Sequence, residues 1–529
     1  MKIENVSYNK ANLLNQLIAD YLNEASSVKP YYNQSPSIES FEKQIQIKKS
    51  HPVDRQTLVK SLKEQYSAFK CSALTKNNIE LLALENTFTI TTGHQLNLFT
   101  GPLFFIYKIL SAINLTQQLK EKYPAYNFVP VYWMATEDHD FEEINHFNFF
   151  GKTYSVTRNK NGAVGSVFLE NIDELFKNLE ADFKDRPQVL SLIERLKIHY
   201  VKNKPLAACT RSFVNDLFKD FGLVILDAND KSLKNLFKPE IIKEVFENTA
   251  VQNIENDSKK LTELGYKIQL TPRDINLFYI GENFRERIVK EETFYKVLNT
   301  NLKFTKEELI KEIETHIERI SPNVALRPLY QEKILPNLAY IGGAGEIAYW
   351  LQLKTTFEAF NIPFPLIILR KSIVLLNKKD YDQWKAFGFL LEDFTKEIGQ
   401  LINQYVQNNA TIDFDFNQEE RLINDAFEAL KQKAMQTDKS LVGKIEAEKA
   451  KTTKQIKQLQ QRLLKAVKQK EEINLKRIKK IYQKVFPNGV FQERFENILY
   501  LWLFLNHTEI QEFTPYCNPL EKEITFLIN

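Results

Sequence analysis

Three short stretches of the sequence combine residue types that could do chemistry, and each follows a run of apolar residues. They are TTGHQ at 91–95, ATEDHDFEEINH at 135–146 and IGGAGEIAYW at 341–350. Open parallel sheets bind their ligands outside the carboxyl ends of the strands. If all three stretches follow strands of one sheet, their polar side chains converge at one edge of it. That convergence favours a site there more strongly than any one stretch does alone.

The first stretch has the features of an anion-binding turn. Gly93 permits close approach of the backbone, and His94 and Gln95 can donate hydrogen bonds to a phosphate or carboxylate. The N-terminus of a following helix would add free N–H groups and the positive end of its dipole. Lys108 lies in that helix, where it could reach back to the anion or face solvent. The structural alternative is a histidine that only satisfies a carbonyl.

The second stretch crowds carboxylates and imidazoles into ten positions. Both groups are general bases and both are metal ligands. Crowded carboxylates repel one another, so some must be paired, protonated or bound to a cation. Helix capping and surface ion pairs account for Glu142 and Glu143. For Asp138, His139 and Asp140 a functional role is the favoured interpretation.

The third stretch is another glycine turn, in which Gly342, Gly343 and Glu346 lead into a helix. It departs from the GxGxxG dinucleotide pattern, and Glu346 could simply satisfy first-turn amides. Nearby segments add further candidates for substrate contacts. These are Arg327, Tyr330 and Gln331 upstream, and Arg370 and Ser372 in LRKS.

The elements that must position these residues alternate between strands and helices. Residues 86–92 predict a short strand, 103–122 a helix with a wide buried face, and 128–135 a fully buried strand. Strand, helix and strand make a βαβ unit, which builds parallel sheets. Further strands are expected in 221–230 and 364–377, and 338–360 is expected to form a short strand, a glycine turn and a helix. LGYKIQL, NLFYI and FRERIV indicate a small antiparallel excursion. The prediction is an α/β fold with a Rossmann-like, doubly wound core at 83–380.

The rest of the chain is predicted to be helical. Residues 1–82 form a helical segment associated with the core, 381–490 a helical and coiled-coil domain, and 491–529 a C-terminal helix and tail that dock on the core. Within 441–484 apolar residues keep an approximate three-four spacing, and fourteen Lys and Arg stand against four Glu. Such an arm could bind a nucleotide, a nucleic acid or a partner, but a solvated helix pair is the favoured interpretation.

Composition excludes several classes of protein. The 529 residues carry a formal charge of +4, which is small for this length, so no global field indicates a nucleic acid and we expect none as a partner. Three separated cysteines exclude a disulfide scaffold and a cysteine-rich metal site, and they suit a reducing cytosol. The sequence has no signal-peptide pattern and no apolar run of the roughly 20 residues a membrane helix needs, so we expect a cytoplasmic protein without membrane association. It also lacks GxxxxGK[ST], GxSxG and HExxH motifs, which removes the main support for P-loop kinases, α/β-hydrolases and zincins.

The motifs together resemble one known family. TTGHQLNLFTGPLFFIYKILSAI, PVYWMATEDHDFEEINH, LRPLYQEKILPNLAYIGGAGEIAYW and the late basic coiled coil look like those of the bacillithiol biosynthesis cysteine-adding enzymes. The resemblance covers essentially the whole chain. It implies a ligase that joins cysteine to glucosaminyl-malate, a Rossmann-like core and a coiled coil that mediates a homodimer. It also implies a distant relation to nucleotidyltransferases with an HxGH motif, of which only Gly93-His94 is present.

The resemblance suggests roles for the candidate residues. The amine of glucosaminyl-malate would attack an activated cysteine carboxyl to form an amide, with no metal expected. In an ATP-using version, His94 would hold phosphates and Lys108 or Arg370 would stabilise negative charge. Asp138, His139 or Asp140 would take the proton from the amine. Gly93, Gln95, Tyr330, Gly342, Gly343, Glu346 and Ser372 would contact substrate or phosphate.

Two other hypotheses remain open on the sequence. One is a metal-dependent hydrolase or transferase built on EDHDFEEINH. The other is a non-enzymatic basic coiled-coil protein that binds nucleic acid or a partner. The latter leaves the clustered polar strand ends unexplained.

Overall fold

The computed structural model describes residues 1–409, 416–505 and 509–529. In chain order the strands are β1 Lys2–Ser7, β2 Thr87–His94, β3 Asn127–Met134, β4 His146–Phe149, β5 Lys152–Ser155, β6 Val224–Asp227, β7 Leu277–Ile280, β8 Arg285–Glu291, β9 Phe294–Val297, β10 Lys303–Phe304, β11 Ile320–Pro322, β12 Asn337–Gly342, β13 Leu366–Leu369, β14 Ser372–Leu376 and β15 Glu523–Ile528.

The α-helices are α1 Tyr8–Ala11, α2 Gln16–Leu22, α3 Ser40–Lys49, α4 Arg55–Tyr66, α5 Ala73–Leu81, α6 Phe104–Lys122, α7 Phe141–Ile144, α8 Ile172–Asp182, α9 Pro187–His199, α10 Leu206–Phe218, α11 Lys231–Leu236, α12 Lys238–Glu247, α13 Thr249–Glu263, α14 Lys306–Thr315, α15 Arg327–Ile334, α16 Ala344–Trp350, α17 Lys354–Ala359, α18 Lys378–Ala386, α19 Ile398–Asn409, α20 Asn417–Thr437, α21 Val442–Lys470, α22 Glu472–Val485, α23 Gln492–Phe495 and α24 Ile498–Leu505.

The predicted doubly wound sheet is confirmed. Its order is β13-β12-β2-β3-β6, and every neighbouring pair is parallel. The chain runs outward from β2 through β3 to β6, then returns to place β12 and β13 on the other side of β2. The strand order therefore reverses between β2 and β12, which is where sheets of this type bind ligands. Burial on both faces explains the continuous apolar sequence of β3, and in β2 even the threonines are buried.

The antiparallel excursion is larger than its sequence pattern indicated. A separate sheet has the order β10-β9-β8-β7-β11. NLFYI and FRERIV form its strands β7 and β8, but LGYKIQL forms no strand among the described residues. There Gly265 takes a positive φ of 86° after α13, and the amides of Gln269 and Leu270 donate to the Gln352 side chain instead of to a neighbouring strand.

The two ends of the chain meet in a third sheet. The sequence predicts a helical start, but residues 2–7 form β1, which pairs antiparallel with the C-terminal β15. The order β1-β15-β14 joins this pair to the strand that follows the Arg370–Lys371 bend. The central strand β15 is buried on both faces, with Ile524 and Phe526 on one and Leu527 on the other.

The chain forms two compact units, Met1–Leu375 with Val490–Asn529, and Leu376–Gly489. The second unit contains α18 to α22 and corresponds to the predicted coiled-coil region. Ion pairs Lys431–Glu446 (2.5 Å) and Lys449–Glu428 (2.9 Å) join α20 to α21 in a hairpin. A break at Glu471 separates α21 from α22 within the predicted continuous arm. Among the described residues no helix has both the length and the apolar character needed to cross a bilayer.

Candidate functional site

A cavity of about 620 Å³ lies at the carboxyl ends of β2, β3 and β12, beside the point where the strand order reverses. This volume suits a small-molecule site. Its walls come from the strand ends, the loop after β3, the antiparallel sheet with the segments that flank it, and the helices α6, α15 and α16. The lining residues used below are Gly93, His94, Gln95, Phe104, Lys108, Trp133, Glu137, Asp138, Arg273, Phe278, Arg285, Arg287, Arg327, Tyr340, Glu346 and Tyr349.

The stretch TTGHQ belongs to the cavity, but the helix behind it begins later than a tight turn would place it. β2 continues through His94, and α6 starts only at Phe104. The intervening loop holds Phe99 and Thr100 at positive φ, and the Asn497 side-chain amide donates to the carbonyls of Phe99 (3.1 Å) and Gly101 (2.7 Å). At the start of the helix the amide of Leu103 donates to the Glu496 carbonyl. That amide is therefore engaged within the protein.

His94 is a neutral imidazole with one nitrogen already used. Its Nδ1 lies 3.1 Å from the Gln95 carbonyl oxygen, so Nδ1 carries the proton and donates it. Burial, together with the positive charge of Lys108, lowers the pKa of His94 to about 3. The remaining nitrogen, Nε2, is a hydrogen-bond acceptor. The sequence predicts that His94 donates a hydrogen bond to a phosphate. In the structure its single N–H already donates to the Gln95 carbonyl.

Lys108 and Glu346 form a buried ion pair beneath the strand ends. Lys108 Nζ donates to Glu346 Oε2 (2.7 Å) and to the Gly93 carbonyl (2.5 Å). Glu346 also accepts from the amide of Gly343 (2.9 Å) and from the Tyr340 hydroxyl (2.5 Å). Although burial opposes ionisation, Lys108 and these donors lower the pKa of Glu346 to about 2. Two of the three ammonium hydrogens of Lys108 are therefore committed to the protein.

The glycines of the third stretch shape this ion pair. The amide of Gly343 binds Glu346, and the carbonyl of Gly342 accepts from the amide of Arg370 (2.8 Å). A Cβ at Gly342 would stand 3.1 Å from both Glu346 Cβ and Tyr340 Cε1, closer than packed carbon atoms normally approach. The two glycines therefore act by bringing Glu346 to the cavity.

Arg327 is the cation most available to a ligand near β2. It donates to Gln331 Oε1 (3.0 Å) and the Tyr349 hydroxyl (3.4 Å), which are neutral acceptors. Its guanidinium also lies over the rings of Trp133 (5.9 Å) and Tyr340 (5.3 Å). An Arg held between aromatic faces keeps its position while retaining N–H donors for an anion.

The acidic loop after β3 divides between the cavity and its own backbone. Asp138 lines the cavity and accepts from Gln95 Nε2 (2.8 Å) and the amide of His139 (2.7 Å). Asp140 lies outside the cavity and caps α7 by accepting from the amide of Glu143 (3.3 Å). His139 also lies outside it, and its Nδ1 accepts from Arg285 (3.1 Å). Of the three predicted proton acceptors, Asp138 alone lies in the cavity wall.

The remaining charged residues of the loop have partners in the protein. Glu137 pairs with the buried Lys234 (2.6 Å), and Glu142 accepts from Asn145 Nδ2 (3.0 Å). Glu143 accepts from Gln95 Nε2 (2.9 Å). Within the described part of the chain, no three His, Cys, Asp or Glu side chains gather so that they could hold a metal ion.

Three predicted contact residues do not line the cavity. Arg370 forms a bidentate ion pair with Glu493, at 2.6 and 2.8 Å, and the Ser372 hydroxyl donates to the same carboxylate (3.2 Å). The Tyr330 hydroxyl donates to the Ala228 carbonyl (2.8 Å). Their polar groups are engaged by neighbours that are distant in the sequence, so these three side chains stand behind the cavity wall: Arg370 lies over the ring of Phe104 (5.2 Å), and Tyr330 packs on Trp133 (5.4 Å).

Sequence reasoning missed the wall contributed by the antiparallel sheet. Arg273, Phe278, Arg285 and Arg287 all line the cavity. The signal was present in FRERIV, since residues two apart on a strand face the same side. The pattern predicted the strand, but nothing in the local sequence shows that this face of the strand borders the carboxyl ends of another sheet.

A family model described as "Bacillithiol biosynthesis BshC, N-terminal Rossmann-like domain" matches residues 1–371, and one described as "Bacillithiol biosynthesis BshC, C-terminal coiled-coil domain" matches residues 373–528. Relatives named "Putative cysteine ligase BshC" include the protein of Flavobacterium johnsoniae, 43% identical over 100% of both chains. That of Christiangramia forsetii is 42% identical over 99% of this chain and 98% of its own. That of Bacillus cereus is 29% identical over 92% of each chain. These matches, which together cover nearly the whole chain, show that it belongs to the bacillithiol biosynthesis BshC family.

Proposed function

We propose that this protein is a ligase that joins cysteine to glucosaminyl-malate in bacillithiol synthesis. The full-length match to relatives named as cysteine ligases carries the proposal. The cavity supports it, because a pocket of this volume with cationic and acidic groups on separate walls can hold two small polar substrates.

The proposed reaction forms an amide. The amine of glucosaminyl-malate attacks the carbonyl carbon of an activated cysteine carboxyl, so that a C–N bond forms and the bond to the activating group breaks. That group leaves with the electron pair, and the amine gives up a proton. A free carboxylate does not condense usefully with an amine in water, so an activator is required, and we propose ATP for this role.

The cavity residues fit distinct parts of this reaction. Asp138 is the proposed proton acceptor, because its carboxylate lines the cavity while Asp140 is used as a helix cap. Arg327 is proposed to stabilise the negative charge that develops on the leaving group. His94 Nε2, as an acceptor, would orient an ammonium or hydroxyl group of a substrate.

The direct test is a reaction of the purified protein with cysteine, glucosaminyl-malate and ATP. We expect a product with the mass of the amide thiol, formed only when all three are present, and one equivalent of phosphate, diphosphate or AMP released with each. Omitting ATP separates the two parts of the proposal. A product formed without ATP would contradict the activator, and no product under any condition would contradict the ligase.

We also propose that the protein acts as a homodimer through the coiled-coil unit. In α21, Ile456, Leu464 and Val467 are partly covered, whereas Leu459 and Leu463 remain 54% and 41% exposed. Leu422, Leu430 and Ile473 are also exposed, at 62%, 49% and 68%. Exposed apolar residues at helical spacing are the seam by which helices associate.

We place the reaction in the cytoplasm. Cys71, Cys209 and Cys517 are all free thiols, which suits a reducing compartment. The proposed partners are the small-molecule substrates and a second copy of the chain.

A further inference from the structure

Three arginines line one wall of the cavity, two of them on β8 and one in the segment just before β7, apart from the parallel sheet that bears His94. Arg285 and Arg287 lie two residues apart on β8, so their side chains leave the same face of the strand. Arg273 precedes β7 in the chain and lines the same cavity. We call Arg273, Arg285 and Arg287 the arginine wall.

Arg285 is the fixed member of this wall. Its guanidinium lies 4.0 Å from the centroid of the Phe278 ring and donates to Ser321 Oγ, the Pro322 carbonyl and His139 Nδ1. Only 9% of the residue is exposed. Most of its donors are therefore used to hold it in place, and it contributes mainly positive charge and rigidity.

The side-chain N–H donors of Arg273 and Arg287 are unused within the described residues. Arg287 is the cross-strand partner of Phe278, so its side chain leaves β8 beside the ring on which Arg285 stacks. Among residues 1–409, 416–505 and 509–529, neither Arg273 nor Arg287 makes a side-chain ion pair or hydrogen bond. Each guanidinium can thus present a two-pronged set of N–H donors to an oxyanion in the cavity.

The acidic groups of the cavity do not supply that oxyanion. Glu137 binds Lys234, Asp138 accepts from Gln95, and Glu346 accepts from Lys108. Each of these carboxylates already has a donor of its own. The arginine wall therefore matches a negatively charged group brought by a ligand.

We propose that Arg273 and Arg287 bind the two carboxylates of the malyl group of the acceptor substrate, with Arg285 as their positioning neighbour. The assignment rests on the proposed function for the identity of the acceptor. Two guanidinium groups fit two planar carboxylates, each held by paired N–H donors. Nucleotide phosphates could supply the same oxyanion chemistry, but we place those near Arg327, beside the switch point of the parallel sheet.

The test is a binding titration, which needs no catalysis. Glucosaminyl-malate alone and ATP alone are titrated calorimetrically into the wild type, Arg273→Gln, Arg287→Gln and Lys290→Gln. Lys290 is the matched control, because it is an exposed cation on the same strand but on the opposite face. Each arginine variant is expected to weaken binding of the conjugate about tenfold or more, as loss of a charge-assisted hydrogen bond does. ATP binding and the Lys290→Gln variant should stay within about twofold of wild type.

A conjugate carrying lactate in place of malate, and so one carboxylate fewer, sharpens the test. The wild type should prefer the malate conjugate, and Arg287→Gln or Arg273→Gln should lose most of that preference. Unchanged affinity for glucosaminyl-malate in both variants would overturn the proposal. Weakened ATP binding with unchanged conjugate binding would also overturn it, since the arginines would then hold phosphate.

The outcome is separable from that of the ligase proposal. Arginine-dependent binding of the malate conjugate without any amide product would support the subsite and contradict the ligase. Amide formation together with binding that does not depend on the arginines would support the ligase and contradict the subsite. Thermal unfolding of each variant, unchanged from wild type, confirms that lost binding reflects the side chain and not the fold.

Discussion

At the scale of single residues, most charged groups of the cavity have a partner in the protein before any substrate binds. Lys108 is held by Glu346 and Gly93, and Asp138 is held by Gln95. Such fixed dipoles and charges cost no reorganisation when a reaction develops charge. The residues that retain unused donors, Arg327, Arg273 and Arg287, are the ones left to meet a ligand.

The first prediction concerns the proton acceptor and depends on the proposed function. Asp138→Asn should lower kcat for amide formation by about 10²–10⁴-fold, the usual contribution of a general base. Asp140→Asn should stay within about threefold of wild type, because asparagine also caps helices well. Steady-state rates at saturating substrates measure both. Equal losses in the two variants would show that the loop acts as a structural whole and that Asp138 has no special role.

The second prediction concerns the pH dependence of stability. The pKa of Glu346 is about 2 in the folded protein, against an ordinary value of 4.5, because Lys108 and its other donors outweigh burial. The ionised carboxylate therefore contributes stability fully above about pH 4.5, and this contribution is lost as the pH falls toward 2. Glu346→Gln should lose less stability than wild type between pH 5.5 and about pH 3.5, as measured by urea unfolding.

The control for that measurement is Glu64→Gln, at an exposed position on α4. It should follow the wild-type pH dependence. If Glu346→Gln also follows the wild type, the carboxylate does not gain from its ion pair with Lys108, and the electrostatic account of this site is wrong.

At the scale of elements, the C-terminal segment completes the core. Asn497 fixes the loop between β2 and α6, and Glu493 binds Arg370 at the end of β13. β15 lies between β1 and β14. The loop that leads from His94 to α6 is thus held by residues about four hundred positions away in the sequence.

The third prediction tests this connection. Glu493→Gln should destabilise the protein by about 3–5 kcal/mol, because it leaves Arg370 buried without its counter-ion. The side chains of Arg370 and Glu493 are 5% and 3% exposed, so water cannot replace the lost partner. Denaturant unfolding measures the change.

The matched control is the double variant Arg370→Met with Glu493→Met. Removing both charges should recover much of the stability, since apolar side chains often replace buried ion pairs at little cost. A double variant that is less stable than Glu493→Gln would show that the attraction within the ion pair exceeds the free-energy cost of burying its two charges.

At the scale of the whole molecule, the coiled-coil unit leaves apolar side chains exposed to solvent. α20 and α21 pair as a hairpin, yet leucines remain exposed along them. A second copy of the chain would cover such residues in a closed, self-complementary interface.

The fourth prediction is that Leu459→Glu with Leu463→Glu converts a dimer into a monomer. Two buried charges facing an apolar seam would repel the partner without affecting the first unit. Light scattering coupled to gel filtration measures the mass. Gln461→Glu with Lys465→Glu adds the same side chains at the same spacing on another face of α21, and this control should remain dimeric. A monomeric wild type would contradict the proposed homodimer.

The sequence alone determined the layered α/β core and the part of the site that lies on it. Continuous apolar runs between helices with a buried face can satisfy their backbone and side chains only as parallel strands covered on both sides. Polar residues directly after such strands must then share one edge of the sheet. This is why Gly93, His94, Gln95, Asp138 and Glu346 were expected together, and all five lie at or beside the cavity.

Only the tertiary structure decided which polar groups remain available to a ligand. Arg370 and Asp140 have the same chemical capacity as Arg327 and Asp138, but Glu493 and the amide of Glu143 engage them. The sequence pattern placed Arg287 on one face of a strand but not at a site, and Arg273 gave no local signal. The packing of the antiparallel sheet beside the edge of the parallel sheet made both part of the cavity. A pattern in the sequence fixes which side of an element is apolar. Contacts between residues hundreds of positions apart depend on how the elements pack, and those contacts determine which side chains keep unused donors.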